Sequence, residues 1–397
     1  MEQDSPRNQP VLDAFTCIGP ACGDTCCAGW SMQVDDETWT RWQSLFPAAE
    51  LAALTSTDAD AGRSMARREG ACVALDQGWC RLHAAHGHDV LSKACGGFPR
   101  RVASFADGSR LRIAQLACPE IARLALDPAP DDGIGSPADE GGGLRAVMAR
   151  LAADAPADQR IRALTALTGS IARFAETEKP AAAAALARSI LDRLPQPVRD
   201  PLDEPRLLLT LGALVHATGG VWRPALDRLT GRLEAALGLT LDRATLALDI
   251  RAGEDPDALR AARDAAWRRH GVASGLAGML GAWIDHQLLA SPHAPAAAPL
   301  PTTTSETLPG IRLAVTFAMT ALVARVAALE LEADAHRNDG ADRLAEDARA
   351  AFAADAAVIA RLFEHLSRPA LIDALATECG WDSAGRVHGL LSYTMLT

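Results

Sequence analysis

Lysine is nearly absent from this chain. Of its 39 basic residues only Lys93 and Lys179 are lysines, so the positive charge is almost wholly arginine. Aromatics make up 4% of the residues, and Tyr393 is the one tyrosine. A chain poor in strand formers and rich in alanine and leucine favours helices. Basic excess is missing as well. The 50 acids outweigh the bases and leave a net charge of −11, which argues against a general nucleic-acid binder, since that role needs a basic face. Long uncharged apolar runs are also missing. The two most apolar stretches, Gly271–Ala290 and Ile311–Leu329, carry Asp285 and the pair Arg312 and Arg325. Both are expected to be buried helices and not membrane insertions. The first residues, Met1-Glu-Gln-Asp-Ser-Pro-Arg7, lack the basic start and apolar run of a signal peptide, so a cytoplasmic location is expected. No strand-turn-helix Gly-x-Gly-x-x-Gly unit is present. Gly133-Ile-Gly135 and Gly141-Gly-Gly143 follow no predicted strand, so a dinucleotide-type fold is not expected.

Cysteine is missing from position 119 to 378, and this gap makes the rest stand out. Eight of the nine cysteines lie in the first 118 residues: Cys17, Cys22, Cys26, Cys27, Cys72, Cys80, Cys95 and Cys118. Core cysteines scattered at random would not segregate in this way. Thiols stay reduced in the cytoplasm, where clustered cysteines serve as metal ligands more often than as disulfides. Short intervals around glycines let several sulfurs converge on a soft metal ion or cluster. The paired two-residue gaps of a structural zinc finger are missing, so zinc remains the alternative metal. Adjacent Cys26 and Cys27 cannot readily bind one ion without strain. His83, His86 and His88 are alternative nitrogen ligands beside Cys80. Gly96 and Gly97, after Cys95, are read as permitting positive φ and close backbone approach to a cluster sulfur.

The pattern predicts a mostly α protein in two parts. Residues 1–126 form a small cysteine-rich metal-cluster domain with little β structure. Residues 127–143, rich in Gly, Pro and acid, form a linker, and residues 144–397 form an all-α bundle. In the first part, Asp35 or Asp36 is expected to cap a helix whose apolar stripe is Trp39, Trp42, Leu45 and Phe46. A second helix covers Ala48 to Leu54. Asp76-Gln77-Gly78 is expected to turn a hairpin between Cys72 and Cys80. Val102–Phe105 and Arg110–Ala114 form another hairpin, and Cys118 caps a helix that begins at Pro119. In the second part helices are predicted at 144–178, 181–194, Arg206–Thr218, Trp222–Leu237, Pro256–Leu289, Ile311–Asp334, Arg343–Leu366 and Pro369–Thr377. Ser291–Pro309 is read as a long loop.

Read together, Phe15-x-Cys17-x4-Cys22-x-Asp24-x-Cys26-Cys27-x-Gly-Trp30, Cys72, Cys80-x-Leu-His83, Cys95-x-x-Phe-Pro-Arg100 and Cys118-Pro-Glu-x-Ala-Arg123 resemble the flagellin lysine N-methylases. These belong to a wider group of cysteine-cluster proteins described as zinc- or iron-chelating. The resemblance covers about the first third of the chain. Phe98 stands where the family more often has tyrosine, and Glu364-His365 resembles an acid-histidine step late in the family's chains. The resemblance implies an iron–sulfur cluster of the four-iron type held among the eight cysteines. It also implies S-adenosylmethionine as methyl donor, and flagellin lysines as the protein substrate. A lysine-modifying enzyme that spares itself is then one reading of the scarce lysines; arginine-biased codon usage is the plainer one. Methyl transfer needs a neutral amine although lysine's own pKa is about 10.4, so a base is sought. Asp24, His83 and Glu120 are the candidate catalytic residues, and Arg100 is the candidate for binding the methionine carboxylate. The alternatives are an iron–sulfur redox or radical enzyme acting on another peptide, and a non-catalytic metal-binding interaction protein.

Overall fold

The computed structural model describes residues 6–22, 24–28, 30–58, 62–104, 110–126, 185, 189, 200–217, 224–290, 310–335, 341–364, 369–381, 386 and 390. The expected linker, the expected helices 144–178 and 181–194 apart from residues 185 and 189, the loop 291–309 and His365 lie outside them. Within them the chain is mostly α, with a few short strands.

The cysteine-rich part opens with strand β1 (Arg7–Asn8) and helix α1 (Val11–Ala14). Helix α2 (Asp36–Leu45) is capped by Asp35, whose carboxylate accepts the Thr38 amide at 3.1 Å, and α3 (Ala48–Leu54) follows Pro47. Of the predicted stripe, Trp42 and Phe46 are buried, while Trp39 lies under the Arg63 guanidinium at 3.9 Å. Leu45 is 52% exposed, contrary to expectation. At 100° per residue it falls to the far side of Trp42 from Trp39 and Phe46, beyond the packed face. Three hairpins follow: β2 (Thr55–Asp58) with β3 (Gly62–Met65), β4 (Arg67–Arg68) with β5 (Ala71–Cys72), and β6 (Leu75–Asp76) with β7 (Trp79–Cys80). Gln77 and Gly78, with φ of 46° and 79°, turn the last one. Two successive left-handed residues are what a two-residue hairpin loop of matching twist requires. Next come α4 (Arg81–His86), α5 (Lys93–Gly97), the hairpin β8 (Arg100–Ser104) and β9 (Arg110–Ala114), and α6 (Pro119–Leu126). Strand β1 joins β9 in parallel, giving the order β1-β9-β8. Gly96 and Gly97 lie inside α5 and need no positive φ; among the described residues, Gly19, Gly70 and Gly78 are left-handed glycines two positions from an N-terminal cysteine.

The helical part contains α7 (Asp203–Ala217), α8 (Pro224–Leu237), the short ribbon β10 (Leu239–Leu241) and β11 (Leu248–Ile250), α9 (Pro256–His270), α10 (Leu276–Ala290), α11 (Gly310–Ala335), α12 (Ala341–Glu364) and α13 (Pro369–Glu378). Two expectations change here. The ribbon departs from an all-α reading, because three alternating residues per strand are too few to stand out against helical periodicity. The stretch expected as one helix over Pro256–Leu289 is two. Gly271 sits against the Trp267 ring, which would be 2.8 Å from any Cβ, and Gly275 turns with φ +83°. Asp255 caps α9 by accepting the amides of Asp257 and Ala258.

Two hydrophobic cores result. The large one joins α1, β9 and α6 to the helical array, and α11 runs through it with residues 314–328 all buried. The Ala314–Ala335 stretch is long and apolar enough to cross a bilayer, yet 89% of its most apolar window is buried inside the fold. The small core, built on Met32, Val34, Trp42, Leu51 and Leu54, belongs to the cysteine-rich part alone.

Candidate functional site

A cavity of about 870 Å³ lies where residues of both cores meet, and all eight N-terminal cysteines line it. Cys72 is part of the small core, with Cys27, Cys80 and Cys95 packed against it. Cys118 is part of the large core. Cys22 and Cys26 are half-buried, and Cys17 is exposed.

Local structure brings each thiol to this place. Gly19, at φ +56°, starts the turn Gly19–Ala21 between Cys17 and Cys22. Any Cβ there would overlap Trp79, standing 1.3 Å from its ring, so this loop and the β6–β7 hairpin pack directly on one another. The Cys22 thiol donates to the Asp24 carbonyl at 2.7 Å, and the Cys27 amide donates to Thr25 Oγ1 at 3.1 Å. The Cys72 amide donates to the Cys27 carbonyl at 2.7 Å, tying β5 to the first loop. Cys95 sits in the first turn of α5, its amide held by the Ser92 hydroxyl at 3.2 Å. Cys118 opens α6, and its sulfur faces the amides of Glu120 and Ile121.

The thiols share one electrostatic environment. A hydrogen bond that the Cys26 thiol donates to Cys27, then burial, pushes Cys26 up, and Cys22, Cys95 and Cys118 each feel Cys26. Burial pushes Cys72 and Cys95 to about 11 and Cys118 to about 12. Any metal bound through these sulfurs must therefore displace their protons.

The four other predicted residues also line the cavity. Asp24 is ion-paired with Arg361 at 2.9 Å. Glu120 is buried and receives a two-pronged pair from Arg123 at 2.9 and 2.7 Å. Arg100 lies over the Phe15 ring at 5.3 Å. His83 stacks on Trp79 with ring centres 5.5 Å apart. Its ring nitrogens make no hydrogen bond among the described residues, which leaves it the least committed base of the three candidates. His88 Nε2 donates to the Gly96 carbonyl at 3.1 Å.

Two residues of the helical array reach this region and carry no sequence signal. Arg361 of α12 holds the Ala117 and Thr25 carbonyls as well as Asp24. His286 of α10 donates Nε2–H to the Ala114 carbonyl at 2.6 Å, and its Nδ1 accepts from the Gln9 amide at 3.2 Å. Gln9 Oε1 in turn accepts the Ala114 amide at 2.9 Å. Both lie in patterns that read as ordinary helix; only the fold places them.

Thiolates are ligands for soft metal ions and for iron–sulfur clusters alike. One zinc ion needs its donors gathered around a single point, and among the described residues no three potential ligands are grouped that closely. A cluster needs converging thiolates as well, so this spacing does not select between the two; the cavity has the volume of a small-molecule site. Trp79 Nε1 is buried with no partner among the described residues, a donor available to an acceptor in the cavity.

No protein-family model and no solved structure matches the chain. Three curated relatives do. The chain is 30% identical over 138 residues to the flagellar biosynthetic protein FliU of Salmonella muenchen, an alignment covering 32% of this chain and 81% of that one. It is 30% identical to a lysine-N-methylase of Salmonella choleraesuis and 29% identical to one of Salmonella typhimurium, each over 138 residues. These alignments cover 32% of this chain and 34% of each methylase, so the chain spans about a third of the length of the two enzymes. With four-fifths of FliU covered at this identity, the chain belongs to the lysine N-methylase-like family of the flagellar biosynthetic protein FliU.

Proposed function

We propose that this protein is a protein-lysine N-methyltransferase that uses S-adenosylmethionine, with an iron–sulfur cluster among its eight cysteines and flagellin as substrate. The observation carrying the reading is that eight thiols from separate loops, hairpins and helices line one cavity. The names of the relatives, lysine-N-methylase and flagellar biosynthetic protein, supply the reaction and the substrate class. Cys22, Cys26, Cys27, Cys72, Cys80, Cys95 and Cys118 are the half-buried or buried thiols that would hold the cluster, with Cys17 at the exposed position. A bound cluster supplies iron that can chelate the amine and carboxylate of a methionine moiety.

The chain's own residues account for the rest. Trp30 and Phe98, packed edge to face at 5.1 Å, and Trp79 exclude water from the cavity wall. Arg100 offers a guanidinium to a carboxylate. A substrate lysine must lose a proton before its nitrogen can take the methyl carbon from sulfur, and S-adenosylhomocysteine departs. His83 Nδ1 or Nε2 takes that proton, since Asp24 and Glu120 are held in ion pairs. The low lysine content keeps competing amines few, and Lys93, which borders the cavity, is ion-paired with Glu37 at 2.7 Å.

Incubating anaerobically purified protein with methyl-labelled S-adenosylmethionine and unmethylated flagellin tests the reading. Label on flagellin lysines is expected. Stoichiometric zinc without sulfide in that preparation would remove the cluster from the proposal, and the absence of lysine label would remove the methylation.

A further inference from the structure

Arg361 is an arginine of the helical array, 4% exposed, and among the described residues its hydrogen bonds and ion pair are directed at the cysteine site. Its Nε and Nη2 donate to the Ala117 carbonyl at 3.2 and 2.8 Å, immediately before Cys118. Its Nη1 donates to the Thr25 carbonyl at 2.6 Å and pairs with Asp24 at 2.9 Å, between Cys22 and Cys26. The guanidinium also stands 5.4 Å over the Trp30 ring. Its charge is felt at both Cys22 and Cys26. A buried charge with this many bonds is costly to misplace, so it fixes what it holds.

We propose that Arg361 is a positioning residue: it sets the Cys22–Cys26 loop against Cys118, so the helical array is part of the thiol site and not only its neighbour. The Cys22 thiol bonds to the Asp24 carbonyl and Thr25 to the Cys27 amide, and Cys27 ties this segment to β5, whereas Arg361 joins it to the segment before α6. A planar guanidinium can grip two carbonyls and a carboxylate at once, and a lysine ammonium at the same place cannot reproduce that fork. The consequence for a bound metal rests on the proposed function; the geometry does not.

The test uses the full chain with Arg361→Met and Arg361→Lys. In metal-free protein, alkylation by N-ethylmaleimide is followed cysteine by cysteine by mass spectrometry. Read as rates corrected for thiolate fraction, because loss of the Arg361 charge by itself slows alkylation, Cys22 and Cys26 should label about tenfold faster in Arg361→Met, the equivalent of one lost charge-assisted hydrogen bond, while Cys72 in the small core keeps its rate. Arg361→Lys should fall between. After anaerobic addition of ferrous iron and sulfide, wild type and Arg361→Met should differ in visible spectrum and reduction potential. Unchanged rates at Cys22 and Cys26, or a rise at Cys72 equal to theirs in both variants, overturns the proposal. Failure of wild type to take up iron and sulfide would count against the proposed cluster and leave the labelling result intact.

Discussion

The thiols around the cavity are supported in two different ways. Cys27, Cys72, Cys80 and Cys95 rest on a small core of their own, closed by Trp42 and Leu54. Cys118 rests on the large core, and the Cys22–Cys26 loop is tied to the same side by Arg361. The first set is held by local hairpins and short helices, the second by contacts from residues more than two hundred positions later. A small cysteine-rich unit has little apolar area with which to fix eight thiols. Borrowing the helical array for some of them overcomes that shortage, and it makes the site depend on both halves of the chain.

The largest blow to this division should come from Trp42→Ala. Trp42 is 1% exposed and its Nε1 donates to the Val90 carbonyl at 2.7 Å; truncation should cost about 4 kcal/mol. Measured by urea unfolding together with thiol labelling, it should expose Cys72, Cys80 and Cys95 while Cys118 stays protected. Equal exposure of Cys118 would mean that the two supports are one.

Acid should strike the other side. Burial holds His286 at about 4, and the charge of Arg101 pushes the same way against the Ala114 hydrogen bond. The folded state thus keeps this ring neutral, while the unfolded chain protonates it near 6.5. The stability it contributes is complete above pH 6.5 and is lost as the pH falls towards about 4, by about 3 kcal/mol in all. His286→Gln should remove this portion of the pH dependence when urea unfolding is compared at pH 7.5 and pH 4. An unaltered slope in the variant would show that the clasp among Gln9, Ala114 and His286 does not bear on acid stability.

These two residues also show what was legible in the sequence. Trp42 was, because helix α2 has a capping aspartate, a defined start and an apolar face. The Asp76-Gln77-Gly78 turn, the Cys118 start of α6 and the short α3 were legible for the same reason: each is set by neighbours in sequence. The candidate site residues stood out by type and spacing, and the fold brings them to one cavity. Arg361 and His286 were not legible. Nothing within four residues of either distinguishes it from a helix-surface arginine or a core histidine; their roles come from carbonyls on a distant segment. The break at Gly271–Gly275 was hidden for a related reason, since apolar periodicity continues across it while the Trp267 ring and a left-handed glycine end the helix.

Two smaller effects sharpen the boundary between the supports. Gly19→Ala puts a methyl into the Trp79 ring at a left-handed position and should cost about 2 kcal/mol, with a matching drop in thermal midpoint. A neutral outcome would show that the first loop and the β6–β7 hairpin are free to part. Asp35→Ala removes a cap that also accepts the Lys93 amide at 3.0 Å, linking α2 to α5. The expected loss is about 1 kcal/mol, confined to unfolding of the small core, with Cys118 labelling unchanged.

The central claim is that thiols from both supports surround one site. Iron, acid-labile sulfide and visible absorption, measured on anaerobically prepared wild type, Cys72→Ser and Cys118→Ser, test it most directly. Both variants should lose the same absorption and the same iron, because each removes a wall of one cavity. A Cys118→Ser protein with its full iron, sulfide and spectrum would contradict the account and assign the site to the small core alone.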